Sequence, residues 1–241
     1  MAVAPRLHLD DPRLQPGVTV SLDAARAHYL ARVLRLGIGD TVILFNARDG
    51  EWRARITGCE RRAAQLRVED LLRPPQAEPG PSLWFAPPRR TRLEWLVEKA
   101  VELGVTRLCP VITARTVARL QRPERLRSIA VEAAEQCRRM SLPEIAPARE
   151  LGAVLAEERV PALLFADEGG AGRPLLTALQ THPGAAFLVG PEGGFTAAER
   201  AMLRARPEVV PVGLGPTILR SETAALYMLS GWRAVREVAA A

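Results

Sequence analysis

The stretch Phe187–Arg200, FLVGPEGGFTAAER, decides how the chain is read. An apolar run ends in Gly-Pro-Glu-Gly-Gly, and a helix start follows at once. Strand, tight loop and helix in that order build ligand crevices in α/β proteins. Thr196 and Glu199 stand at capping-box spacing, which fixes where the helix begins. The loop is neither G-x-G-x-x-G nor G-x-x-x-x-G-K-[ST]. It points to a ligand without identifying one.

The same texture extends on both sides. SLWFAPP (82–88), TRLCPVIT (106–113), PALLFAD (161–167), AAFLVG (185–190) and EVVPVGL (208–214) read as strands. The most apolar of these are continuous runs, as expected of parallel strands covered on both faces. Helices are predicted at 92–104, with Leu93, Leu96, Val97, Ala100 and Val101 inward, at 123–140, and from Ser221 to Val238. Alternating strands and helices imply a mostly parallel α/β sheet over residues 83–241.

The N-terminal part reads differently. VTVSL (18–22), TVILF (41–45), EWRARITGCE (51–60) and AAQLRVEDLL (63–72) are short strands separated by turns such as GIGD and ARDG. One helix, predicted over 23–36, places Ala27, Leu30, Ala31 and Leu34 on one face. A small β-barrel with one helix is expected over 1–72. RPPQAEPGPS (73–82) has the composition of a linker.

Of the 241 residues, 33 are Lys or Arg and 27 are Asp or Glu, giving a net charge of +6 and a sequence pI near 10.1. Lys99 is the only lysine. An arginine-rich basic chain suits a polyanion such as RNA, since guanidinium forks pair with phosphate and stack on bases. Cys59, Cys109 and Cys137 form neither a disulfide framework nor a metal-binding spacing, so no metal is expected and a reducing compartment fits. The absence of a leader-like or membrane-spanning stretch leads to the expectation of a soluble, cytoplasmic protein.

A second loop, VGLGPTILRSETAAL (212–226), joins the first at the strand ends. Neither loop carries a phosphate-binding lysine, and no ribose-binding acid follows the first at the required spacing. A ligand held by backbone groups and apolar walls is expected, such as an adenine or a sulfonium compound. Arg220 is the candidate for stabilising developing negative charge. Glu192 and Glu222 are weaker catalytic candidates, and Ser221 reads as a cap of the last helix.

LVGPEGGFTAAE, VGLGPTILRSETAAL, EWLVEKAVELGV and ERLRSIAVEAAEQCRRMSLPEI together resemble the RsmE family of ribosomal RNA methyltransferases, within the SPOUT superfamily. PRLHL, HYLARVLRLGIGDTVILF and WRARI are similar to that family's PUA-like RNA-binding barrel. The resemblance implies methylation of N3 of one uridine in the decoding region of 16S rRNA, with S-adenosyl-L-methionine as cofactor. It implies a trefoil knot in the C-terminal domain and a homodimer. Leu188, Val189, Gly190, Pro191, Glu192, Gly193 and Gly194, with Leu214, Gly215, Ile218, Leu219, Arg220 and Ser221, would form the cofactor cradle. Arg6, Arg32, Arg35, Arg89, Arg90 and Arg115 would be RNA contacts. Arg89 and Arg90 stand where the family often has lysine, and Cys137 where it more often has serine.

Overall fold

A computed structural model describes residues 4–60, 63–117, 123–169 and 172–240. The chain divides into two units, Met1–Glu78 with Ala134–Leu142, and Pro79–Ala133 with Pro143–Ala241. The first division falls inside the stretch read as a linker. Residues 134–142 were expected in the second domain; they belong instead with the first.

The first unit is a five-stranded sheet in the order β1 (Arg6–His8), β3 (Thr41–Asn46), β4 (Gly50–Cys59), β5 (Ala64–Arg73), β2 (Thr19–Leu22). Strand alternation does the sorting: Trp52, Ala54 and Ile56 of β4 are buried while Arg53, Arg55 and Thr57 are exposed. Their inward faces meet Leu66 and Val68 of β5 in one apolar core. The sheet is antiparallel except that β1 runs parallel to β3. No ladder joins β1 to β2 among the described residues, so the expected closed barrel is an open sheet here. The helix read over 23–36 is α1 (Ala24–His28), capped by Asp23, continuing as a π-helical turn over Tyr29–Val33. Leu34 is its C-cap, and the next residue, Arg35, has a left-handed φ of 58°.

Arg6 was expected at the RNA surface, and the structure corrects this. Its guanidinium is buried, lies 3.9 Å from the centre of the Phe45 ring, and donates to Glu51 at 3.0 Å. It also donates to the carbonyls of Ala134 (2.7 Å), Glu135 (3.0 Å) and Arg139 (3.2 Å). The first two close the last turn of α3 (Pro123–Cys137), where carbonyls lack helical partners. This arginine holds residues 134–142 to the sheet. The stretch 73–82 is likewise anchored: the Glu78 carboxylate accepts from the backbone of Ser141 (2.8 Å) and of Met140 (3.1 Å).

The second unit has an all-parallel sheet in the order β11 (Arg173–Pro174), β13 (Val209–Gly213), β10 (Leu163–Ala166), β12 (Ala186–Val189), β6 (Ser82–Phe85), β7 (Arg107–Ile112), β8 (Glu144–Ile145). β9 (Arg149–Glu150) pairs with β7. The crossovers carry α2 (Arg90–Glu102), α3, α4 (Leu151–Glu157), α5 (Leu175–Thr181) and α6 (Ala197–Arg204), and α7 (Ser221–Ala240) follows β13. In α2 the buried residues are Leu93, Leu96, Val97, Ala100 and Val101, the face set by 3.6-residue spacing. The Thr196/Glu199 capping box opens α6.

Two stability predictions follow from the first unit. Arg6→Ala leaves helix-end carbonyls and part of the Glu51 charge unpaired, and should lower unfolding free energy by about 3 kcal/mol in denaturant titrations. An unchanged midpoint would contradict the structural role. Asp49 accepts from Arg48, from Leu14 N and from Asn46, and the Arg48 contact is foremost in holding its carboxyl down, from 3.8 to about 2. Its contribution is fully present above the unfolded value of 3.8 and is lost as pH falls through about 2. Asp49→Asn should therefore be less stable than the native chain near neutrality, with the gap closing across that window.

Candidate functional site

Strands β13, β10 and β12 are neighbours and all point the same way, so their C-terminal ends stop along one edge. A cavity of about 400 Å³ opens there. Its wall is made by Ala166–Glu168 after β10, Val189 and Gly190 after β12, Gly213–Leu219 after β13, and Ser221 and Ala224 of α7. This is where the parallel-sheet rule puts ligands, and the volume lies within the usual range for small-molecule sites.

Sequence fixes the loops locally. At Gly190 a side-chain carbon would sit 2.8 Å from the Phe195 ring, which itself packs edge-on against Phe165 at 5.9 Å. The loop thus folds back over an aromatic of the core, and only glycine fits the crossing. Gly215 has a φ of 108°, which side-chain-bearing residues rarely adopt. Both glycines lie on the wall, so backbone amides and carbonyls are presented to the cavity directly.

The polar inventory of the wall is uneven. Asp167 is committed to Arg204 at 2.5 Å and to the amide of Gly169 at 3.1 Å. Glu168 pairs with Arg200 at 3.1 Å. Ser221 is different: it is 6% exposed and its Oγ has no hydrogen-bond partner. The cap expected of Ser221 is absent, because it is already the first helical residue; the Arg220 carbonyl accepts from Ala224 N at 2.8 Å. Ile218, also on the wall, is 87% exposed. A buried hydroxyl without a protein partner and an exposed isoleucine on one cavity wall suit an amphipathic ligand.

The expected cradle residues divide in two. Val189, Gly190, Leu214, Gly215, Ile218, Leu219 and Ser221 line the cavity. Leu188 is buried within β12, and Pro191, Glu192, Gly193, Gly194 and Arg220 stand in the flanking loops. Arg220 is exposed and has no ion-pair partner among the described residues. Glu192 is ion-paired to Arg92, whose Nε also lies 3.5 Å from Oε1 of the buried Glu222. Arg115 is exposed and donates to the Gly193 carbonyl at 2.6 Å, tying the segment after β7 to the glycine loop.

Arg89 and Arg90 open α2 on the surface, Arg90 at 3.3 Å from Glu94. Arg32 and Arg35, on and after the π-helical turn of the first unit, are exposed with no ion-pair partner among the described residues. Sequence reasoning missed Asp167, Glu168 and Arg92. The first two were legible in principle, since the apolar strand read as PALLFAD ends in Asp167 and Glu168 follows it. Arg92 was not, because its contact with Glu192 spans 100 residues.

Comparison with known proteins places this geometry. Residues 78–233 match the family model described as an RNA methyltransferase domain, and 22–69 match the RNA methyltransferase PUA domain. The ribosomal RNA small subunit methyltransferase E of Rickettsia conorii is 31% identical over 84% of each chain. That of Synechocystis is 33% identical over 91% of this chain and 74% of its own. Among solved structures, the Neisseria gonorrhoeae ribosomal RNA small subunit methyltransferase E bound to S-adenosyl methionine superposes with a TM-score of 0.84 at 28% identity, covering 97% of this chain and 98% of its own. A Legionella pneumophila protein in complex with SAM gives 0.85 at 26% identity with the same coverage. With a family model spanning most of the chain and relatives above 30% identity along nearly all of it, this chain belongs to the ribosomal RNA small subunit methyltransferase E family.

Proposed function

We propose that this protein is an S-adenosylmethionine-dependent methyltransferase of small-subunit ribosomal RNA, acting on N3 of a uridine in the decoding region. The observation that carries the cofactor assignment is the strand-end cavity with its unpartnered Ser221 hydroxyl. The residues present fit such a molecule. Val189, Gly190, Leu214 and Gly215 offer backbone donors and acceptors, Ile218 and Leu219 an apolar wall, and Ser221 a buried hydroxyl. No lysine stands among them, which disfavours a polyphosphate.

Bound S-adenosylmethionine supplies a methyl group made electrophilic by a positive sulfur. The chain's own task is to hold uracil and make N3 nucleophilic, which requires the N3 proton to leave. Arg220 precedes Ser221 of the cavity wall, at the N-terminal end of α7. Its unpaired guanidinium, added to the positive helix end, favours the uracil anion and so lowers the N3–H pKa. Glu192 and Glu222 do not line the cavity, and Arg92 engages both. Neither is placed as a free base, so the proton is assigned to water.

Other parts of the reading rest on the same family. The first unit acts as the RNA-binding domain and the second as the catalytic one. Arg32 and Arg35, in a helical segment with no acidic residue from Ala24 to Gly39, are the supported RNA contacts there. Arg89 and Arg90 are the contacts from the second unit, while Arg115 is engaged by the Gly193 carbonyl. A trefoil knot in the second unit goes with the same family reading, and α7 packs there on β12, β6, α2 and α5. A homodimer belongs to the same family reading. No helix among the described residues is long and apolar enough to cross a membrane, and the assigned substrate puts the protein in the cytoplasm.

Nucleoside analysis of small subunits treated with the protein and labelled S-adenosylmethionine should yield 3-methyluridine at one position. Label on another base, or on transfer RNA in preference, would contradict the assignment. Arg220→Ala should lower turnover by roughly 100-fold, the usual effect of removing one charge-stabilising group, with an unchanged melting temperature. Near-native turnover would remove Arg220 from the mechanism.

A further inference from the structure

Two loops make most of the cavity wall, and they leave β12 and β13, which flank β10 and do not pair with each other. A side chain on a third element reaches both. Arg92 sits in the first turn of α2 and is about one-third exposed. It forms an ion pair with Glu192, two residues beyond Gly190 of the wall, and its Nε lies 3.5 Å from Oε1 of Glu222, next to Ser221 of the wall. The two carboxylates therefore share one guanidinium, whose planar fork holds two acceptors at a fixed separation.

We infer that Arg92 is a positioning residue that clamps the 190–194 loop to the start of α7, and so fixes the width of the cofactor cavity. This rests on the cavity being the cofactor site, and it names the residue that sets its shape. The charge arrangement supports a clamp over incidental surface pairing. Glu222 is only 6% exposed, and its Oε2 has no hydrogen-bond partner. Arg92 is its only ion-pair partner among the described residues. Without Arg92 a buried carboxylate would be left with no counter-charge, and the first turn of α7 would shift to hydrate it. That turn carries Ser221, and the residue before it is Arg220. Glu192 would be released at the same time, and with it the loop that crosses Phe195.

The clamp predicts coupled loosening, which hydrogen exchange reads without cofactor. In Arg92→Ala, amides of 190–194 and of 219–224 should both exchange faster than in the native chain, while α2 beyond its first turn is unchanged. Arg92→Lys should restore part of the protection, since it keeps the charge and loses the fork. In parallel, affinity for S-adenosylhomocysteine should fall roughly tenfold in Arg92→Ala if the bound-competent cavity drops to a tenth of the population, with KM for the cofactor rising more than kcat falls. Faster exchange in one loop alone, or unchanged exchange in both, overturns the clamp. If the native protein does not bind S-adenosylhomocysteine, the cofactor reading fails while the exchange result still decides the clamp. Global unfolding of Arg92→Ala would show as faster exchange in β6 and β7; Arg92→Lys and Glu192→Gln, milder changes at the same contact, then carry the test.

Discussion

A parallel sheet cannot be closed by hairpins, so every strand must be followed by a crossover that leaves from the same edge. That constraint organises the second unit. β10, β12 and β13 end side by side, and three separate segments of chain are forced to turn there. The space between them is the cavity. Its chemistry follows from how the turns are made: glycine where backbone crosses an aromatic or adopts positive φ, and a helix start whose first side chain is buried with nothing to bond.

Guanidinium groups then do two different jobs. Arg6, Arg92 and Arg115 are committed to particular acceptors: a helix end, two carboxylates and a loop carbonyl. They join segments that the backbone ladders leave apart. Arg32, Arg35 and Arg220 have no ion-pair partner among the described residues. Net charge alone would treat all six as RNA ligands. Burial and partners separate those that hold the protein from those available to a substrate, because a charge already paired and desolvated has little left to offer a phosphate.

Much of this was legible in the residues. The inward face of α2 follows from helical spacing, since five apolar side chains can share one side only in one register. The start of α6 was visible in Thr196 and Glu199, because a capping box is a local device needing no tertiary information. The parallel sheet showed in runs such as Leu163–Phe165, apolar on both faces. What escaped was non-local. β1 has three residues, too few for any period, and is a strand because it pairs with β3. Residues 134–142 continue a helical pattern, and nothing in them says that Arg6 will draw them to the first unit. Ser221 has the residue type of a cap, but as the first residue of α7 it leaves the cap position to Arg220.

The central claim is that the strand-end cavity binds the methyl donor. Isothermal titration of the whole protein with S-adenosylhomocysteine, alongside NADH and ATP, tests it most directly, provided a second titration uses a variant in which the cavity is filled by Thr217→Trp, a wall position without the left-handed backbone of Gly215. The account predicts saturable binding of S-adenosylhomocysteine alone, abolished in the filled variant while its melting temperature stays near that of the native chain. Binding of NADH or ATP in its place, or full retention of S-adenosylhomocysteine binding with the cavity filled, would contradict it.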